Sequence, residues 1–115
     1  MKRLMLSVLC LFLLISCASP RSWTRQEKAA AGFFVLAHSA DAITTSQLTD
    51  HGNYEMNPIM GKHPSDIEIG VYFSLTAIGA LVVSHFNPDL RKPLLYGYGS
   101  INSICAIHNY TINKK

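Results

Sequence analysis

Polar and apolar positions alternate in blocks along this chain. A first apolar run, Leu4 to Ile15, is broken only by Ser7 and follows Lys2 and Arg3. A second, Ala29 to Ala37, is rich in small residues and passes into a polar stretch, His38, Ser39, Asp41, Thr44, Thr45, Ser46 and Gln47. A third, Ile69 to Phe86, carries Ser74, Thr76, Ser84 and His85 as its polar interruptions, and a fourth, Leu94 to Ile107, carries Ser100, Asn102 and Ser103. The last three blocks predict helices over 24–50, 65–86 and 88–112. Thr24-Arg25-Gln26-Glu27 and Ser65-Asp66-Ile67-Glu68 both have the form of a capping box, in which the hydroxyl and the acid three residues later each hold an amide at the helix start. Gly52 is a natural stop for the first helix, and Pro64 blocks backward extension of the second. Asn87 and Pro88 predict a cap and a first helical position for the third. Pro93, five residues further on, predicts a kink or a restart.

The first run is built like a secretory signal, with a basic start, about twelve apolar residues and a small-residue end. It is too short to span a bilayer comfortably. Its end, Leu14-Ile15-Ser16-Cys17, resembles the bacterial lipobox. That resemblance implies cleavage before Cys17, a diacylglycerol on its sulfur, and a body tied to lipid on the extracytoplasmic, periplasmic side of the cell envelope. Covalent lipid on Cys17 is the one attached group expected, and no further cofactor is expected. Residues 1–16 then read as a lipoprotein signal peptide, 17–23 as the lipidated cysteine and a tether, and 24–115 as a helical membrane-associated domain. Cys10 leaves with the signal, so the remaining body carries Cys105 as its free thiol and cannot form an internal disulfide.

Composition supports the membrane and argues against nucleic acid. Hydrophobic residues make up 49% and charged residues 15% of the chain, a balance that leans away from ordinary soluble domains. The formal charge of +3 is partly the signal's. Without residues 1–16, Lys and Arg fall from ten to eight against seven acids, leaving about +1. No internal repeat or low-complexity tract occurs. Residues 66–86 as a helix would extend ~31 Å, about one hydrocarbon core, and form the best spanning candidate. Small residues recur four apart at Gly70 and Ser74, at Thr76, Ala80 and Ser84, and at Gly99 and Ser103, as they do where helices approach closely in lipid. With Cys17 outside, three spans would leave Arg21, Arg25, Lys28, Arg91 and Lys92 outside and Lys62, Lys114 and Lys115 inside, against the usual bias. A first helix lying in the interface, anchored by Trp23, with the other two as a hairpin, fits that bias better.

The candidate chemistry lies between His38 and His63. Asp41 shares a helix face with His38, Thr44 and Thr45, and a turn then brings His51, Glu55, Asn57, Pro58 and His63. Asp41, Thr44-Thr45 and the run Glu55-Met56-Asn57-Pro58-Ile59-Met60-Gly61 resemble a small uncharacterised bacterial membrane-protein family (DUF5658-like), and Asn57 to Ser65 resembles small hypothetical proteins of phages and prophages. The resemblance covers about residues 24–85 and implies an architecture without implying a reaction. Two uses of the constellation follow. Asp41, Thr45, Glu55, Asn57 and Pro58 can form a structural polar lock between the first helix and the turn, since an acid facing a bundle interior needs partners. Alternatively His38, Asp41, His51, Glu55 and His63 supply ligands of suitable type for a metal, as in a membrane-bound metal-dependent enzyme. Neither a His-Glu-x-x-His motif, a Gly-x-Ser-x-Gly elbow nor a phosphate loop accompanies them. The expectation is therefore an all-α bundle of three helices behind a signal segment, at least partly in the membrane. It would act as a structural or interaction module and not as an enzyme. Its partners would be membrane lipid and a membrane protein or a second copy.

Overall fold

The computed structural model describes residues 20–55, 57 and 59–114. The signal segment, Cys17 and Pro58 lie outside the described residues. Three helices and no strand occur among those residues: α1 (Arg25–Asp50), α2 (Asp66–Phe86) and α3 (Arg91–Asn113), with a single 3₁₀ turn over Pro88–Leu90 before α3.

Local chemistry sets the helix ends. Both capping boxes form. The Thr24 hydroxyl accepts the Glu27 amide while the Glu27 carboxylate accepts the Thr24 amide, and Ser65 and Glu68 do the same at α2. Helix α1 closes in a Schellman turn, where Asn53 N donates to Leu48 O at 3.2 Å and Gly52 N to Thr49 O at 3.1 Å. That turn holds Gly52 at φ 76°, a left-handed conformation open to glycine. The third helix departs from expectation. Asn87 does not cap it; its side-chain amide donates back to Val83 O at 3.0 Å, and the 3₁₀ turn intervenes. Helix α3 starts afresh at Arg91, so Pro93 falls in its first turn. There the missing amide breaks no helical bond and no kink is needed.

The connections make α2 antiparallel to α1 and return α3 parallel to it. Contacts fix a register of 64 residues between α1 and α3: Glu27 meets Arg91, His38 meets Asn102 and Thr45 meets Asn109. Gly99 permits the closest approach, since a Cβ there would lie 3.2 Å from Phe34 Cα. Helix α1 thus runs along α3 for most of its length. It does not lie apart from an α2–α3 hairpin. The small-residue faces divide as well. Ala80, Ser84 and Gly99 are buried at helix contacts, whereas Gly70 and Ser74 are exposed.

The interior of the bundle mixes apolar and polar side chains. An apolar layer of Ala30, Phe34, Ala80 and Leu95 is bounded by buried Glu27, Ser84 and Arg91 at one end and by buried His38, Asp41, Thr45, Asn102 and Asn109 toward the other. The outward faces are apolar: Leu36 and Ile43 on α1, Val71, Leu75 and Ile78 on α2, and Ile101, Ile104 and Ile107 on α3 are all more than half exposed. Charged side chains gather at the two ends. Among the described residues, α2 alone is apolar enough over its whole window to cross a membrane.

Candidate functional site

Three polar stations follow one another along the bundle axis. The first stands where α1 begins, α2 ends and α3 begins. Arg91 is fully buried, and each of its five N–H groups has an acceptor. Nε donates to Ser84 O at 2.9 Å; one terminal nitrogen reaches Ser22 O and Glu27 Oε2, both at 3.3 Å, and the other reaches Arg21 O at 2.8 Å and His85 O at 3.0 Å. Its guanidinium also stacks 4.5 Å over the Trp23 ring, a cation–π contact. Glu27 completes the station. It accepts two bonds from Arg21, at 2.6 and 3.1 Å, and one from the Thr24 amide at 2.8 Å. The Arg21 guanidinium foremost, then the Thr24 amide and, against the opposing effect of burial, Arg91 hold its carboxyl down at about 2. Sequence reading placed Glu27 in its capping box but took Arg91 for a surface cation. The pairing spans 64 residues and leaves no local signal.

His38 is the second station and joins all three helices. Nε2 lies 2.8 Å from Phe73 O on α2, and Nδ1 lies 2.8 Å from Asn102 Nδ2 on α3. A carbonyl can only accept, so Nε2 donates to Phe73 O, and Nδ1 accepts from Asn102 Nδ2. Thr76 Oγ1 sits 3.1 Å from Nε2, and Phe34, Phe73 and Tyr98 surround the ring with centroids 4.8–5.5 Å away.

The third station is an open cavity of about 610 Å³ lined by the three helices and the loop after α1. Asp41 and Glu55 both line it, with Asn109, Tyr72, Phe73 and Tyr98. Asn109 Nδ2 donates to Thr45 Oγ1 at 3.1 Å, and Thr45 lines the cavity beside Asp41. The Glu55 carboxylate instead accepts the Asn57 amide at 2.8 Å, and Asn57 Oδ1 accepts the Ile59 amide at 3.0 Å. The residues expected to form one lock divide: Glu55 is bonded to Asn57 inside the turn, while Asp41 and Thr45 stand among the helices, with Thr45 bonded to Asn109. The two groups face each other across the cavity.

The candidate metal ligands do not converge. Both nitrogens of His38 are engaged in the core. His51 is exposed with Nδ1 2.7 Å from Gln47 O, and His63 is exposed on the loop. Only Asp41 and Glu55 of that set share the cavity, and among the described residues no three His, Cys, Asp or Glu side chains are grouped to hold a metal. The ligand set His38, Asp41, His51, Glu55 and His63 is thus corrected, because helix packing draws His38 inward while the loop carries His51 and His63 outward. No protein-family model matches this chain, and neither curated proteins nor solved structures gave a match.

Proposed function

We propose that this protein is a small lipid-anchored envelope protein whose three-helix body lies within the membrane and serves as a structural or interaction module. The observation that carries the reading is an apolar outer face combined with polar groups bonded between the helices inside. Water rewards a bundle that buries its apolar side chains, whereas in lipid the outer face is apolar and buried polar groups bond one another across helices. Here the bonded groups are Glu27–Arg91, His38–Asn102 and Thr45–Asn109, while Leu36, Ile43, Leu75, Ile78, Ile101, Ile104 and Ile107 point out. Helices of 26, 21 and 23 residues would each extend at least about 31 Å, enough for a hydrocarbon core of ~30 Å. Cys17 supplies the anchor in this reading, and its acyl chains and the helix faces both contact lipid. In the two stations nearest the α1 start, Glu27, Arg91 and His38 are all bonded within the chain, which suits a scaffold better than a reacting centre.

Two measurements test it. The intact mass of the purified protein is expected to show a chain starting at Cys17 plus acyl groups; an unmodified chain starting at Met1 overturns the anchor. A form exported behind an ordinary cleavable signal, and so lacking the lipid, is expected to stay in the membrane pellet after alkaline carbonate extraction. Its release into the supernatant overturns the embedded body.

A further inference from the structure

We propose that the cavity holding Asp41 and Glu55 is a binding site for an organic ammonium ion carried on an apolar chain. This goes beyond the scaffold role, because it assigns the molecule a ligand. Its volume, about 610 Å³, lies within the range of small-molecule sites. Asp41 is only 7% exposed, and neither it nor Glu55 takes part in a salt bridge among the described residues. No lysine or arginine lines the cavity; its one basic side chain is that of His108, exposed on α3. The contrast with Glu27 is instructive: the same fold gives that buried carboxylate two guanidinium groups, and gives the cavity pair none. A buried carboxylate without a cation is costly, so the complement of this site is positive charge.

The lining selects the kind of cation. Tyr72, Phe73 and Tyr98 present aromatic rings to the same space, which favours a weakly hydrated organic ammonium over a small metal ion. Two carboxylates without a third ligand are also a poor metal site. Ile101 and Ile104 line the cavity and are more than half exposed on α3, so its rim merges with the apolar outer surface. An ammonium head would sit between Asp41 and Glu55 while its chain leaves across that rim. Such a head can belong to a free lipophilic amine or to the ethanolamine of a phospholipid.

The test uses the full-length protein in dodecyl maltoside, with tritiated decyltrimethylammonium as probe and scintillation proximity as readout. Saturable binding is expected, with no measurable binding of the neutral isostere in which carbon replaces nitrogen. Asp41→Asn and Glu55→Gln are each expected to weaken binding tenfold or more, and Glu68→Gln, at the outer start of α2, to leave it unchanged. Glu55 stands in the loop outside the helix contacts, so its variant keeps the test informative should Asp41→Asn unfold by circular dichroism. Displacement of the probe by added phosphatidylethanolamine identifies the lipid head as the source of the ammonium; persistence of binding in its presence identifies a free amine, and both uphold the site. Equal uptake of the probe and its isostere, or undiminished binding by a folded Glu55→Gln protein, overturns it.

Discussion

Arg91 shows how one side chain can organise a chain end. Its five donors gather carbonyls from Arg21, Ser22, Ser84 and His85 and a carboxylate oxygen from Glu27, so the tether, the end of α2 and the starts of α1 and α3 meet on one guanidinium. Replacing it with Met keeps much of the volume but orphans buried acceptors. Arg91→Met is expected to cost at least about 3 kcal/mol, read as a lowered thermal midpoint in detergent. Arg91→Lys is expected to be nearly as damaging, since an ammonium has three donors and no planar fork. Glu27 gives the complementary pH signature. Its folded-state value of about 2 lies below its ordinary 4.5, so its contribution is complete above pH 4.5 and is lost as pH falls toward 2. The difference in thermal midpoint between wild type and Glu27→Gln is expected to be constant above pH 5 and to shrink through that window. A difference that stays constant down to pH 2 would show that Glu27 gains nothing from its arginines. The capping role of Glu27 is legible from three neighbouring letters, whereas its tie to Arg91 depends on tertiary register and has no counterpart in local spacing.

At the scale of the helices, periodicity reveals where each one runs, but partner choice follows from details that periodicity does not weigh. The buried positions of α1 include 27, 30, 34, 38, 41, 45 and 48, and those of α3 are 91, 95, 99, 102, 106 and 109. Both are stripes with steps of three and four, and in both the stripe mixes polar with apolar residues. A search for apolar stripes alone passes over them, and this is why His38, Asn102 and Asn109 were hard to place by sequence. Asparagines at that spacing on α3, matched against His38 and Thr45 on α1, are the signal that could have paired the two helices. Glycine substitutions test the pairing. A Cβ at Gly99 would lie 2.7 Å from Phe33 Cε1 and 3.2 Å from Phe34 Cα, while one at Gly97 meets nothing within 4 Å. Phe33 can turn aside; the α1 backbone cannot without moving the helix. Gly99→Ala is expected to destabilise by ~1–3 kcal/mol through overpacking. Gly97→Ala is expected to be neutral or to stabilise by up to about 1 kcal/mol through helix propensity. Thermal melts of the two variants in the same detergent should therefore move apart, and a shared direction would mean that α1 and α3 do not meet at Gly99.

For the whole molecule, the tether decides how anchor and body relate. Arg21 O is bonded to Arg91 at 2.8 Å, so the chain is already fixed to the bundle there. Cys17 lies four residues upstream, and four residues reach at most ~14 Å when fully extended. Were Cys17 lipidated as proposed, its acyl chains would enter the bilayer beside the start of α1, which would hold that end at the membrane surface and leave little slack for a bundle standing off in water. The same end carries Arg21, Arg25, Lys28 and Lys92, suited to lipid phosphates, while Arg91 is turned inward and leaves that count. Cys105 then reports on the depth of the body. It is exposed on α3, between the outward Ile104 and Ile107, and becomes the single free thiol once the signal is cleaved and Cys17 is lipidated. Thiolate is the reactive form and an apolar medium suppresses it, so a charged, membrane-impermeant maleimide should label Cys105 slowly in intact membranes. A neutral, permeant maleimide of similar size controls for access through the lipid, and solubilisation in mild detergent is expected to raise labelling by the charged reagent. Rapid labelling by the charged reagent in membranes left intact, at the rate of a thiol in water, would place α3 outside the lipid and leave the proposed acyl chains as the sole attachment to the membrane.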